Sequence, residues 1–337
     1  MSGLRYVYGP VPSWRLGRSL GVDPIPLKTC NWNCVYCQLG RTRPVVNERK
    51  DYVPPTDVVA EIRQALAAHQ DGGVDWLTFV GSGEPLLHAH LGWMIREVKD
   101  LTDLPVAVIT NGSLLSRAEV REEIAGADAV LPSLDVGSPE LYRQMNRPHP
   151  EVTFERHIDG LVRFREEYHG RLWLEVMLIQ GVNDTDAALG ELANHLKRVQ
   201  PDEIHINLPS RPAVEPHVHA PDQATVLRAV AVLEAAAPVR VAQHVDGSFE
   251  LDPSVAVGDA IAAIVVRHPM SESELIHTLA HWSPDHVQGA LMDLERSGQV
   301  QVIVRDGTCF WTSAAAHFPD GPSVKVRRPQ PPAATNR

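Results

Sequence analysis

Three thiols lie within eight residues of one another, in the run Cys30-Asn31-Trp32-Asn33-Cys34-Val35-Tyr36-Cys37, and the fourth cysteine, Cys309, is far away. A disulfide framework is built from dispersed, paired cysteines in an exported chain, which is not this layout. A structural zinc ion takes four ligands, and no histidine lies within thirty residues of the loop to complete the set. Three thiolates can instead hold three irons of a [4Fe–4S] cluster and leave the fourth iron open to an outside ligand.

Further residues of chemical interest follow short apolar runs. Gly81-Ser82-Gly83-Glu84-Pro85 combines glycines, which let a ligand approach the backbone, with a carboxylate suited to an ammonium group. Thr110-Asn111-Gly112 offers an amide at Asn111, while Ser133 and Asp135 offer a hydroxyl and a carboxylate. Gly181 and Asn183 lie in the turn Ile179-Gln180-Gly181-Val182-Asn183. Arg143, Asn146 and Arg147, with Ser210, Arg211, Glu215, His217 and His219, form two polar groups. Such groups either grip a phosphate or carboxylate or pair with acids at the surface. The pairs His88/His90 and His217/His219 could act as metal ligands if extended, but no third ligand is in view. Lys28, two residues before Cys30, is either a charge beside the loop or a solvated lysine.

These residues need a scaffold. Apolar runs at 21–25, 76–80, 106–110, 129–134, 172–179 and 203–208 are rich in Val, Ile and Leu without clean alternation, as strands buried on both faces are. Between them Val58, Ile62 and Leu66 share a helical face, as do Ile158, Leu161 and Phe164. Thr56 and Asp184 are placed to cap helices, the second running over 187–199. Alternating strand and helix implies a parallel sheet with right-handed crossovers. A complete barrel of eight units takes about 250 residues, so six units need roughly 190. Residues 20–208 supply that length. The fold expected is therefore α/β, a partial (βα)6 TIM-like barrel, with a helix over 223–236 and a strand over 239–244 closing it. The chemical residues then fall at the C-terminal ends of strands, where barrels place their sites. A doubly wound dinucleotide fold is disfavoured, because G-x-G-x-x-G is missing after the first strand.

Beyond about residue 252 the texture changes. A helix over 255–267 stops near Pro269, and Ser271 with Glu274 makes a capping box for a second bearing Leu275 and Leu279. Ser283 and Pro284 open a third, bearing Val287, Leu291 and Leu294, which Gly298 ends. Segments 300–304 and 308–312, joined at Asp306-Gly307, read as a hairpin that includes Cys309 as a packed residue. The expected organisation is a catalytic module over 1–251, a winged-helix-like domain over 252–317 and a disordered tail over 318–337, which holds five prolines. Residues 255–317 carry three bases (Arg267, Arg296, Arg305) against seven acids. Sequence-specific DNA binding needs clustered positive charge, so a docking or substrate-covering module is expected instead.

Together the C-x3-C-x2-C loop and the four polar turns behind it resemble the radical SAM superfamily. The resemblance implies a [4Fe–4S] cluster held by Cys30, Cys34 and Cys37, with S-adenosylmethionine chelated at the open iron through its amino and carboxylate groups. It implies an electron, from a reductant such as flavodoxin or ferredoxin, that cleaves the sulfonium to a 5′-deoxyadenosyl radical. On the same resemblance Tyr36 stands near the adenine, and Gly81, Ser82, Gly83 and Glu84 meet the methionine ammonium. Asn111 adds its amide, Ser133 and Asp135 meet the ribose hydroxyls, and Gly181 and Asn183 lie in the adenine-contacting turn. The run from Tyr8 to Asp23 and the continuation Pro26-Leu27-Lys28-Thr29-Cys30 resemble the bacterial and archaeal subgroup related to wyosine-base (tRNA imidazoguanosine) synthases. That subgroup usually has arginine where this chain has Trp14. Its tRNA-modifying members carry extra cysteines for a second cluster, and Cys309 alone is too few. The substrate expected is an RNA base or a small molecule. A partner protein activated by hydrogen abstraction comes second, and a redox-sensing regulator third.

Composition is consistent with this. The chain has 337 residues, 44% hydrophobic and 22% charged, with 42 acids against 31 bases for a net charge of −11. That balance disfavours non-specific binding of nucleic acid or anionic membrane by the chain as a whole. It has no run of 18 apolar residues, and its first ten lack a signal-peptide layout, so a cytoplasmic location without membrane partners is expected.

Overall fold

The computed structural model describes residues 4–69, 73–242 and 255–319. Its main sheet has eight strands lying side by side in chain order. These are β1 (Val7–Ser13), β2 (Gly17–Val22), β3 (Trp76–Phe79), β4 (Val106–Thr110), β5 (Ala129–Pro132), β6 (Arg171–Met177), β7 (Glu203–Asn207) and β8 (Val239–Val241). β1 runs antiparallel to β2, and each later neighbour pair is parallel. The crossovers are filled by α1 (Pro55–Ala68), α2 (Leu91–Leu101), α3 (Ala118–Ile124), α4 (Pro139–Met145), α5 (Phe154–Glu167), α6 (Asp186–Val199) and α7 (Gln223–Leu233). This is the mostly parallel α/β sheet of a partial barrel.

Alternate side chains of the strands divide between two environments. Val106, Val108, Val130, Leu172, Leu174, Val176, Ile204 and Ile206 face the apolar stripes of the helices in one large core. On the other face Ala107, Ala129, Leu131 and Trp173 gather round Leu16, from the β1–β2 turn. Alanines at 107 and 129 leave room for that leucine, so the hairpin plugs the barrel interior. Arg15 follows it in and pairs with Glu175 of β6.

Strand β1 departs from expectation, since the sheet was expected to begin at 21–25. Pro10 and Pro12 concealed it, and an edge strand tolerates proline because one side of its ladder is unpaired. Two cap assignments also change. α1 begins at Pro55 with Pro54 in the cap position, and Thr56 lies inside the helix; proline fits N1 because its missing N–H would have no partner there. Thr185, not Asp184, caps α6, and Asp184 instead accepts the Gly181 amide at 2.9 Å.

Residues 255–319 form α8 (Val257–Val265), β9 (Met270–Ser271), α9 (Glu272–Thr278), α10 (Pro284–Arg296), β10 (Val300–Arg305) and β11 (Thr308–Ser313). Their antiparallel sheet has the order β10-β11-β9. Val257, Ile261, Ile264, Leu275, Val287, Leu291 and Trp311 make a core separate from that of the barrel. The Ser271/Glu274 capping box and the Ser283 cap of α10 are both present. Cys309 sits in β11 opposite Val304. Positions 243–244, the expected boundary at 251/252 and the tail from 320 onward lie outside the described residues.

Candidate functional site

The thiol loop leaves the C-terminal end of β2 and is stitched to the turn after β3. Lys28 N donates to Ser82 O at 2.7 Å, and Glu84 N donates to Thr29 O at 2.9 Å. Such closeness requires glycine at 83, where a Cβ would stand 2.0 Å from Thr29 O. On its other side the loop is held by the end of α4. Val35 N donates to Met145 O at 2.9 Å, Asn33 N to Asn146 O at 3.0 Å and His149 N to Asn31 O at 2.8 Å. Trp32 is buried edge-on against Tyr142 and His157, with centroids 5.4 Å away in each case. The loop therefore rests on a fixed aromatic floor.

All three thiols are half-buried, and each has a polar neighbour. Lys28 Nζ lies 2.9 Å from Cys37 Sγ, which settles the choice left open for that lysine. Its backbone is left-handed, with φ 62°, a conformation that costs a non-glycine residue energy and is tolerated where surroundings enforce it. Asn111 Nδ2 is 3.8 Å from Cys30 Sγ, and Asn146 Nδ2 is 3.8 Å from Cys34 Sγ. Burial pushes the Cys30 thiol up to about 12, with the Glu84 carboxylate adding to the rise. Burial lifts Cys34 well above the usual thiol range, with the neighbouring Cys30 and Asp135 charges adding to the rise. Metal binding to such thiols would release their protons. Among the described residues no three His, Cys, Asp or Glu side chains converge on a single-ion position. A cluster spreads its ligands more widely, one thiolate to each iron. Of the histidine pairs, His88 is fully buried with Nε2 2.9 Å from Val53 O, and His90 pairs with Asp51.

Glu84 is the other marked feature. It is 2% exposed. Its Oε1 accepts from Leu86 N at 2.9 Å and Thr110 Oγ1 at 2.5 Å, and its Oε2 accepts from Asn111 N at 2.7 Å. Every donor is neutral, and burial raises the carboxyl to about 7 against the pull of those hydrogen bonds. Asn111 joins this carboxylate to the thiols, since its backbone meets Glu84 and its side chain reaches Cys30. A carboxylate buried with no cationic partner among the described residues suits an incoming ammonium group.

The remaining site residues are brought to the same ends of the strands, but several are engaged by the protein itself. Ser82 donates from Oγ to Asp23 Oδ2 at 2.6 Å and from N to Oδ1 at 3.0 Å. Asp135 accepts from Tyr36 OH and Asn146 Nδ2, each at 2.6 Å, and from Met177 N at 2.8 Å. Asn183 Nδ2 donates to Asp135 O at 2.7 Å and Met177 O at 2.8 Å. Ser133 gives its carbonyl to His157 Nε2 at 3.0 Å, and Gly181 is an exposed turn residue with φ 68°. Tyr36, Asp135 and Asn146 thus form one network behind Cys34.

The basic residues expected around the mouth are also paired. Arg147 and Arg41 both meet Glu215, at 2.6 and 3.0 Å. Arg211 meets Glu274 at 2.7 Å, Arg143 meets Glu140 at 3.0 Å and His219 lies 3.4 Å from Asp306. Ser210 and His217 are exposed. Asp23 and Asn31 were missed as site residues. Asn31 is fully buried and links Asn47, Ser113 and Asn111 under the loop. Its place between Cys30 and Trp32 was the one available signal.

Half-buried thiols, a buried carboxylate and strand-end turns at the mouth of a partial barrel define the class. The family model for the radical SAM superfamily matches residues 25–207, and the chain belongs to that superfamily. It is 32% identical over 303 residues to UPF0026 protein MJ1312 of Methanocaldococcus jannaschii, a match covering 87% of this chain and 94% of that one; it is thus also one of the UPF0026 proteins. A protein named GTPase Obg from Brachyspira hyodysenteriae is 32% identical over 305 residues, which are 89% of this chain but 44% of that protein. In fold the chain is similar to a radical SAM methyltransferase from Sphaerobacter thermophilus, with a TM-score of 0.50 and 21% identity over 68% of each chain. The protein is accordingly an enzyme, and its superfamily works with a [4Fe–4S] cluster and S-adenosylmethionine. No helix among the described residues is long and apolar enough to cross a membrane.

Proposed function

We propose that this enzyme binds its cluster through Cys30, Cys34 and Cys37, seats the methionine end of S-adenosylmethionine on the 81–84 turn, and abstracts hydrogen from a small molecule or an RNA base. When bound, the cluster supplies the electron that breaks the sulfonium C5′–S bond, giving methionine and a 5′-deoxyadenosyl radical. The electron comes from a reductant of the flavodoxin or ferredoxin kind. Glu84 carries the reading. It is buried without a cationic partner among the described residues, and Asn111 couples it to Cys30. Protein groups do the rest. Gly81, Ser82, Gly83 and Glu84 take the methionine end, Asn111 adds its amide, and Tyr36, Ser133, Asp135, Gly181 and Asn183 line the adenosyl side. Ser82, Asp135 and Asn183 act through the backbone that their side chains hold in place.

The motif at 8–30 supports kinship with the wyosine-base synthase subgroup. Cys309 is too far off and too few to hold a second cluster, so wyosine synthesis itself is not proposed. We read α8–α10 with β9–β11 as a winged-helix domain that covers the substrate opening. Its third helix carries Asp285, Asp293 and Glu295, a poor surface for phosphates. Arg147 and Arg211 are committed to Glu215 and Glu274, which favours a small molecule over RNA. Electron paramagnetic resonance of the reduced, reconstituted enzyme tests the proposal. Its cluster signal should change when S-adenosylmethionine is added, and an unchanged signal would count against direct binding at the open iron.

A further inference from the structure

Arg267 follows α8, in the C-terminal domain, yet it touches both halves of the cofactor site. Its Nε meets Asp23 Oδ2 at 2.9 Å, an ion pair in which the side chains are 14% and 3% exposed. Asp23 is the same carboxylate that holds the hydroxyl and amide of Ser82. The Arg267 carbonyl accepts Gln38 Nε2 at 3.0 Å, and Gln38 is the residue after Cys37. The guanidinium lies over the Tyr8 ring, 4.6 Å from its centroid, and donates to Arg5 O at 3.2 Å.

Neighbouring contacts work in the same direction. Arg41 N donates to His317 O at 2.7 Å. Gly40, with φ +84°, lies against the same backbone, where a Cβ would stand 2.7 Å from His317 O. The C-terminal domain therefore grips residues 38–41 behind the third cysteine and, 244 positions along the chain, the aspartate under the 81–84 turn. Removing one partner of a buried ion pair leaves the other charge uncompensated, and its surroundings must rearrange.

We propose that Arg267 is a positioning residue for S-adenosylmethionine: by pairing with Asp23 beneath Ser82 and holding Gln38 behind Cys37, it makes the C-terminal domain part of the cofactor site. This rests on the assignment of the 81–84 turn to the methionine end. The domain does more than cover the substrate, since the ordering of the turn and of the loop both depend on its docking.

The test uses the full chain with Arg267→Met, which keeps an apolar stem on Tyr8, and Arg267→Lys, which keeps the charge. Hydrogen–deuterium exchange of the cluster-free proteins should show faster exchange at 81–84, above Asp23, in the Met variant, with the rest of the barrel unchanged. Calorimetry of the reconstituted proteins should show S-adenosylmethionine bound about tenfold more weakly by Arg267→Met, at equal iron content, and largely restored by Arg267→Lys. Asp23→Asn, which preserves shape but not charge, should lose affinity in the same way. Wild-type affinity in both Arg267→Met and Asp23→Asn, or faster exchange spread over the whole barrel, would overturn the proposal. If Glu84→Gln also binds like wild type, the assignment of the turn falls and takes this proposal with it. If only the Arg267 and Asp23 variants do, this proposal falls alone.

Discussion

Glu84 and Thr29 are joined backbone to backbone, the Glu84 amide donating to the Thr29 carbonyl at 2.9 Å. The buried carboxylate is thereby fixed against the residue that immediately precedes Cys30. On the proposed reading, in which the cluster and the methionine end lie side by side, this link ties the two halves of the site together.

Gly83→Ala should break that link. The added methyl would stand 2.0 Å from Thr29 O, and backbone must shift to admit it, at a cost of about 1–3 kcal/mol. Thermal unfolding of the cluster-free variant should show a lower midpoint, and iron retention after reconstitution should fall. An unchanged midpoint with full iron loading would show that the two segments need no such contact.

Glu84→Gln preserves shape and removes charge. Charge-assisted hydrogen bonds contribute about 1.5–3 kcal/mol, so S-adenosylmethionine should bind roughly ten- to a hundredfold more weakly. Iron and sulfide content should remain at the wild-type level, because Glu84 touches no thiol directly. Calorimetric titration separates these outcomes, and equal affinity in the two proteins would remove Glu84 from the cofactor site.

Lys28→Met should make the cluster harder to reduce. The lysine Nζ lies 2.9 Å from Cys37 Sγ, and with Cys37 as a proposed ligand a cation so close to its sulfur would favour the more negative, reduced form. A redox titration followed by paramagnetic resonance should give a more negative midpoint for the variant. Lys28→Arg should stay near wild type. A midpoint that does not move would make Lys28 a structural residue only.

His157 predicts an acid-side loss of stability. Burial holds its imidazole neutral and lowers its pKa from 6.5 to about 4. Between those values the unfolded chain binds a proton that the folded chain refuses, so stability is fully present above pH 6.5 and falls as the pH drops toward 4. The loss amounts to on the order of 3 kcal/mol. Denaturant unfolding of His157→Gln at several pH values should show a shallower fall over this window, and an identical slope would place the titration elsewhere.

What could be read from the amino acids was local. Residue type and spacing marked the Cys30–Cys34–Cys37 loop, and apolar runs located β3 to β7 within a few residues, because each signal is carried by adjacent positions. β1 was hidden because Pro10 and Pro12 argue against a strand unless its place at the sheet edge is known. The Asp23–Arg267 and Arg147–Glu215 pairs were illegible for another reason. Ion pairs between distant segments leave no periodicity, and arginines at a barrel mouth look alike whether they await a ligand or already have a partner. Asp135 shows the same limit. Its position at a strand end was legible, but its occupation by Tyr36, Asn146 and the Met177 amide depends on the folded geometry.

Radical cleavage of S-adenosylmethionine at the three-cysteine loop is tested most directly by measuring 5′-deoxyadenosine. The anaerobically reconstituted enzyme, reduced by dithionite and supplied with candidate small-molecule substrates as hydrogen donors, should release 5′-deoxyadenosine and methionine in equal amounts, and Cys34→Ala should release neither. A fully loaded wild-type protein that produces no 5′-deoxyadenosine, or a Cys34→Ala variant that produces it at the wild-type rate, would contradict the assignment.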